Sequence, residues 1–281
     1  MELISFKKEM HAQLTESYPK NEIDSFFYRL LDHHLGMSKM DCALHPNRRL
    51  SISQLNELMS ALTQLQKHIP LQYIIGQTSF QGSFLHVTPS VLIPRPETEE
   101  LVAWAIDSAQ PPSVQRILDI GTGSGCIAIS LAKAFPEADT TAIDVSKSAL
   151  KLAKQNAVQN QVIVDFQCVN ILENQSVADS YDLIISNPPY VTFSEKKQMN
   201  ANVLDHEPHR ALFVPDSNPL LFYNAIGSFA SQHLSDNGLL FFEINEQYGK
   251  SVVTLLKDLK FHDIELRKDF RGKDRMIRAK K

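Results

Sequence analysis

Arg116-Ile117-Leu118-Asp119-Ile120-Gly121-Thr122-Gly123-Ser124-Gly125, running on into Cys126-Ile127-Ala128-Ile129-Ser130-Leu131-Ala132, reads as a strand, a tight turn and a helix in one short stretch. The Ile/Leu run has the composition of a strand buried on both faces of a sheet. The glycines let the backbone turn sharply and approach a ligand where a Cβ would clash. Dinucleotide sites share this strand-turn-helix pattern. Here, however, the spacing is G-x-G-x-G rather than the G-x-G-x-x-G that cradles a pyrophosphate. A second strand, Thr140-Thr141-Ala142-Ile143-Asp144, ends in an acid about 20 residues on, where a carboxylate can grip two ribose hydroxyls. That pairing implies a nucleoside. Taken alone, Asp144 could instead cap a helix over Ser146–Asn160, and the two roles are compatible.

Working outward, Val162–Val169 supplies a third strand, Tyr181-Asp182-Leu183-Ile184-Ile185-Ser186 a fourth and Gly238–Ile244 a fifth. Phe261–Lys268 and Arg275–Ala279 form a terminal antiparallel pair around Arg271-Gly272-Lys273. Helical patterns separate most of them. The expected fold is α/β, a seven-stranded doubly wound sheet with an antiparallel last strand. The fourth strand stops abruptly at Asn187-Pro188-Pro189-Tyr190. Proline gives no N–H to a ladder and holds the preceding residue extended. Asn187 is thus fixed at the carboxyl end of a strand, where open α/β sheets bind ligands. An isolated Pro-Pro would simply end a strand; the Asn at the joint and the Tyr behind it turn the reading towards chemistry. The Asn187 side-chain carbonyl and the Pro188 backbone carbonyl could each accept one N–H of an –NH2 group. That would aim a poorly nucleophilic nitrogen at an electrophile, with Tyr190 stacked on the flat group. Orientation of this kind can contribute roughly 7–11 kcal/mol.

Upstream, the first 70 or so residues read as helices. Leu3, Phe6, Met10 and Leu14 recur at helical spacing. Asn21-x-x-Asp24 is expected to open a second helix that ends near Gly36, and Ser53–His68 repeats Leu55, Leu58, Met59, Leu62 and Leu65 before Pro70. From Tyr73 the texture becomes that of a β-hairpin. The predicted layout is 1–72 as a helical bundle for partner recognition, 73–90 as a hairpin linker and 91–281 as the sheet domain. Leu92-Ile93-Pro94-Arg95-Pro96-Glu97-Thr98-Glu99 turns a rigid extended segment into a helix, with Thr98 as the expected cap. Arg95 and Glu97 there serve either the site or the structure alone.

Composition excludes some classes. The 281 residues are 43% hydrophobic, enough for a sizeable core, and no apolar run reaches the length of a membrane span. Glu2 and Glu9 among the N-terminal lysines suit neither a signal nor a transit peptide, so a cytoplasmic location is expected. Three separated cysteines without C-x-x-C and ten scattered histidines point to no metal. A net charge of −4 argues against stable nucleic-acid binding, and the basic end Arg267–Lys281 reads as polar strand faces.

The glycine turn, Asp144 and the N-P-P-Y after strand four resemble the Rossmann-like S-adenosylmethionine-dependent methyltransferases. More closely, the chain resembles the protein-(glutamine-N5) methyltransferases that modify peptide chain release factors. That likeness covers nearly the whole chain, through Pro70–Gly76, Leu92–Glu99, Leu118–Ala128, Ser186–Val191 and Glu207-Pro208 before Ala211-Leu212. N-P-P-Y alone is shared with enzymes that methylate amino groups of DNA and RNA; the I-P-R-P-E-T-E segment is far more specific. The resemblance implies S-adenosylmethionine as cofactor, leaving as S-adenosylhomocysteine. It places Asp119, Gly121, Thr122, Gly123, Ser124 and Gly125 by the methionine part and Asp144 on the ribose. Asn170 and Ile171 fall by the adenine, and Asn187 lies between cofactor and substrate. On the substrate side it implies Arg95, Glu97, Asn187, Pro188, Pro189 and Tyr190, with Asn187, Pro188 and Tyr190 catalytic and a release factor's Gly-Gly-Gln loop in the pocket. Two departures stand out. Asn170-Ile171 replace the family's acid and aromatic near the adenine, so cofactor binding is expected to persist at equal or reduced strength. Asn245 replaces a Gly, and Asn tolerates a left-handed turn.

The expected activity is methyl transfer to a protein glutamine amide by a monomeric enzyme. Competing readings are a methyltransferase for exocyclic amino groups of DNA or RNA, which would need a basic track and room for a flipped base, and an inactive cofactor-binding interaction protein.

Overall fold

The computed structural model describes residues 1–109, 114–173 and 180–281, which divide into two compact units. The first comprises Met1–Gly76 with Asn200–His206. Helix α1 (Leu3–Leu14) buries Leu3, Phe6, Met10 and Leu14, the stripe expected from their spacing. Helix α2 (Lys20–Leu35) starts two residues earlier than the Asn21/Asp24 pattern predicts, because Pro19 takes the N-cap position with its preset backbone angle. Asp24 is thereby left inside the helix. Its carboxylate accepts from Lys7 Nζ at 2.8 Å and pairs with His11 Nε2 at 2.9 Å, tying α1 to α2. Capping boxes at Ser38/Asp41 and Ser51/Gln54 open α3 (Lys39–Leu44) and α4 (Ile52–Gln66). Helix α5 (Leu71–Ile75) occupies residues predicted to begin the hairpin, so this helical unit runs to Gly76 rather than to residue 72. Phe27, Leu30, Leu31, Leu58, Leu62 and Leu65 are among the side chains that share this core. Each such side chain contributes roughly 1.5–3 kcal/mol on full burial.

The second unit, Gln77–Met199 with Glu207–Lys281, opens with a hairpin of β1 (Gln77–Phe80) and β2 (Ser83–His86). Its turn residues Gln81 and Gly82 both have positive φ, as a two-residue turn matching strand twist requires. Next come α6 (Pro96–Ser108), β3 (Arg116–Ile120), α7 (Cys126–Ala134), β4 (Asp139–Asp144), α8 (Lys147–Gln159), β5 (Asp165–Cys168) and β6 (Tyr181–Ser186). A short parallel pair, β7 (Val191–Thr192) and β8 (Phe213–Val214), brackets a connection that includes α9 (Ala201–His206), which groups with the first unit. The chain ends with α10 (Leu221–His233), β9 (Leu234–Glu243), α11 (Gly249–Asp258), β10 (His262–Lys268) and β11 (Asp274–Lys280).

Seven strands form one sheet in the order β10-β11-β9-β6-β3-β4-β5, with β11 antiparallel to both neighbours and the rest parallel. Alternate residues of the central strands enter different cores. Ile117, Leu183, Ile185 and Phe241 pack with α6, α7 and α8, while Leu118, Ile184, Leu240 and Phe242 pack with α10 and α11. Burial on both faces is why these strands read as unbroken apolar runs. Strand β9 begins four residues before the predicted Gly238. A Cβ at Gly238 would lie 2.9 Å from the Ser235 carbonyl and 3.2 Å from that of Tyr181, and the register with β6 shifts there. The chain leaves β3 towards β4 and β5, then returns to place β6 on its other side. That reversal opens a crevice at the carboxyl ends of β3 and β6. Among the described residues, no helix is long and apolar enough to cross a membrane.

Candidate active site

A cleft opens at that reversal, lined by the carboxyl ends of β3, β4 and β6 and by the residues that follow β5. On one side lies the glycine turn. Gly121, Gly123 and Gly125 have φ of 79°, 55° and 84°, angles that other L-residues rarely adopt. The N–H groups of Gly121 and Thr122 donate to the Ile143 carbonyl at 2.9 and 3.0 Å, so the turn is held against β4. A Cβ built on Gly121 meets no atom within 4 Å. At Gly125 the Cβ would meet Ala153 Cβ and Ile129 Cδ1, both at 3.2 Å; this glycine serves close packing of α8 and does not line the cleft. Asp144 joins the two turns, Oδ2 accepting from Gly123 N at 2.9 Å and Oδ1 from Ser146 N at 2.8 Å. The cap of α8 is Ser146 rather than Asp144. Each Asp144 oxygen keeps a lone pair for a further donor.

Asp119 sits fully buried behind the turn. It does not line the cleft; its Oδ2 accepts from Thr122 Oγ1 at 2.6 Å and Ala128 N at 3.2 Å, whereas among the described residues Oδ1 has no partner, and neither has buried Ser124 Oγ. Burial raises the Asp119 carboxyl to about 7 against the pull of those two hydrogen bonds. At the far end of the cleft, Asn170 Oδ1 accepts from Leu172 N at 3.2 Å and its amide donates to Glu173 at 2.8 Å. Ile171 packs on the apolar core beside it. Val145, 51% exposed, and Phe222 and Ile226 of α10 add apolar wall that the sequence reading did not single out.

The other side is the corner after β6. Ser186 Oγ donates to the Ile120 carbonyl at 2.6 Å, stitching the ends of β6 and β3. Asn187, Pro188 and Pro189 all line the cleft. Asn187 Nδ2 donates to Thr98 Oγ1 at 3.1 Å, and the Thr98 hydroxyl donates to Glu243 Oε2. The Tyr190 hydroxyl donates to Glu243 Oε1 at 3.0 Å, so Tyr190 braces the corner from behind rather than lining the cleft. Among the described residues, nothing donates to Asn187 Oδ1 or to the Pro188 carbonyl. Glu243 is 1% exposed, and burial pushes its carboxyl up while Thr98, Tyr190 and the charge of Arg275 restrain it.

Asn245 is not in the left-handed region expected for it. It acts through its side chain, donating to the Tyr190 carbonyl at 3.2 Å and to Glu195 at 3.1 Å, and so fastens the corner to the end of β9. Arg95 lines the cleft and pairs with Glu207, whose other oxygen accepts from Ile93 N at 3.1 Å. Glu97 lies off the cleft, 3.8 Å from Arg271. Thr98, predicted as a cap, makes no cap bond; α6 starts at Pro96 and Thr98 is buried against Glu243. Neither Thr98 nor Glu243 was singled out for the site from sequence, since the two lie far apart in the chain.

Residues 100–212 match the family model described as "Methyltransferase small domain", and residues 8–76 match "PrmC N-terminal domain". Among solved structures, a methyltransferase from Pyrococcus furiosus aligns with a TM-score of 0.54 at 18% identity, over 78% of this chain and 98% of that one. With this sheet and this crevice, the likeness defines the class as a Rossmann-like methyltransferase fold. The release factor glutamine methyltransferase of Flavobacterium psychrophilum is 46% identical over 278 residues, 98% of each chain. That of Bacteroides thetaiotaomicron is 41% identical over 96% of this chain and 97% of its own. The chain belongs to the release factor glutamine methyltransferase family.

Proposed function

We propose that this chain transfers a methyl group from S-adenosylmethionine to the side-chain amide nitrogen of the glutamine in a release factor's Gly-Gly-Gln loop. The observation that carries the reading is the pair of unengaged acceptors, Asn187 Oδ1 and the Pro188 carbonyl, on residues lining the cleft at the sheet's reversal. A primary amide has two N–H bonds, and two fixed acceptors hold both. The amide plane is then set and its nitrogen lone pair has one direction left. Tyr190 and Asn245 keep the corner rigid, through Glu243 and through the Tyr190 carbonyl.

The residues opposite fit the cofactor. The open face at Gly121 admits a ligand against backbone, and Ser124 Oγ, on a residue that lines the cleft and without a partner among the described residues, suits the cofactor's carboxylate, while Asp119 supports the turn from behind through Thr122 and Ala128. Asp144 retains lone pairs for ribose hydroxyls, and Val145, Asn170 and Ile171 would hold the adenine. When bound, S-adenosylmethionine supplies an electrophilic methyl on a sulfonium, so the chain need not furnish a covalent nucleophile. The proton lost from nitrogen passes to solvent. Glu207 is given no part in this; its two oxygens hold Arg95 and Ile93 N. The names of the relatives support release factors as the substrate class, and the "PrmC N-terminal domain" match supports the helical unit, read here as ending at Gly76, as the part that docks them.

The test is labelled S-adenosylmethionine incubated with a release factor, its Gln-substituted Gly-Gly-Gln variant or DNA, with the label mapped by mass spectrometry. Label on that glutamine alone is expected. Asn187→Ala should lower turnover by on the order of 10²–10³ with cofactor binding retained, and unchanged turnover rejects the assignment.

A further inference from the structure

The reading above requires the Asn187 amide to face the substrate with its oxygen, although an amide's two ends have nearly the same shape. Something must choose between them. Asn187 has one side-chain hydrogen bond among the described residues, to Thr98 Oγ1 at 3.1 Å. A hydroxyl carries a single proton. If Thr98 spends it on a neighbour, its oxygen can only accept from Asn187, which must then present NH2 to Thr98 and Oδ1 to the cleft. If the proton points at Asn187, the amide is reversed and offers the substrate a donor in place of an acceptor.

Glu243 decides this. In its ionised form, which the hydrogen bonds from Thr98 and Tyr190 and the charge of Arg275 favour against burial, it accepts and cannot donate, and its two oxygens face two hydroxyls, Oε2 taking the proton of Thr98 and Oε1 that of Tyr190 at 3.0 Å. The register sets it there: Ser186 of β6 is level with Phe242 of β9, so Glu243 is level with Asn187. Thr98 comes from the first turn of α6 and is 2% exposed, Glu243 is 1% exposed, and water does not compete for either. A buried carboxylate between two hydroxyls is a costly way to fill space, since apolar side chains would close the same gap without desolvating a charge. Resting on the assignment of Asn187 above, we propose that Thr98 and Glu243 are positioning residues of the methyl transfer, a relay of fixed hydrogen-bond polarity that turns the Asn187 oxygen towards the substrate amide.

Thr98→Val keeps the shape and removes both donor and acceptor; Thr98→Ser keeps both. The Val variant is expected to lose about 10- to 100-fold in kcat on a release factor. Its cofactor Kd and its KM for the release factor should stay within about twofold, because it still presents the same cleft walls and the loss falls on orientation. Thr98→Ser should recover most of the turnover. If the Val variant does not fold, Thr98→Ala gives the same readout, with folding checked by cofactor binding. A folded Val or Ala variant with wild-type kcat overturns the inference, as does a Ser variant as impaired as the Val. Asn187→Ala measured alongside separates the two levels. Its retained turnover would remove the underlying assignment, whereas an inactive Asn187→Ala beside a fully active Thr98→Val removes only the relay.

Discussion

Asp119→Asn isolates the electrostatic state of the glycine turn. The Asp119 carboxyl has no exposure, and among the described residues only its Oδ2 is engaged, by Thr122 Oγ1 and Ala128 N. Burial raises it from 3.8 to about 7, the two hydrogen bonds opposing and the nearby Asp144 charge adding. Between those values the folded protein holds a proton that the unfolded chain has released, so stability falls as pH rises through the window. At 1.36 kcal/mol per pK unit the whole window is worth about 4 kcal/mol, and the part between about pH 5 and 8 about 3 kcal/mol. An Asn side chain accepts from the same two donors through its oxygen and does not titrate. Urea unfolding of the cofactor-free protein can be followed by Trp104, the single tryptophan, which is buried in this same unit. Wild type should lose about 3 kcal/mol more than the variant over that pH range. Every other titrating group is common to both and cancels. Parallel stability curves would refute the argument, because they would mean that Asp119 titrates alike in both states and that its burial carries no electrostatic cost.

At Gly125 a methyl group meets Ala153 and Ile129 at 3.2 Å on a backbone with φ of 84°. Gly125→Ala should therefore cost about 1–3 kcal/mol in thermal or urea unfolding, and a variant as stable as wild type would show that α7 and α8 are less tightly apposed than described. Asn245→Gly removes the tie to the Tyr190 carbonyl and Glu195. It should lower stability by about 1–2 kcal/mol and speed amide exchange across 191–198; unchanged exchange there would deny Asn245 its role as a fastener.

What was legible in the sequence and what was not divide along the range of the interactions. Strands buried on both faces carry their signature locally, so Ile117, Leu118, Ile184 and Ile185 mark the sheet without reference to any partner. The glycine turn is likewise a local matter, because positive φ at Gly121, Gly123 and Gly125 is a demand on single residues. Asn187 with its prolines belongs to the same kind, a corner encoded in consecutive positions. Errors arose where two local explanations compete and a distant partner chooses. Asn21 and Asp24 look like helix-opening residues, yet Asp24 answers to Lys7 and His11 of the preceding helix. In the same way Thr98, in the first turn of a helix, looks like a cap, and Asn245 after a strand looks like a turn residue. Each instead spends its polar group on the corner after β6: Thr98 on Asn187 and Glu243, Asn245 on Tyr190 and Glu195. Those partners become neighbours only once β9 lies beside β6 with Ser186 level with Phe242, a register no short window of sequence specifies. The groups that would bind substrate are therefore readable from the chain, while the groups that orient them are products of the strand order. A substitution at Thr98 or Glu243 can for that reason disable the site while every residue of the N-P-P-Y corner remains in place.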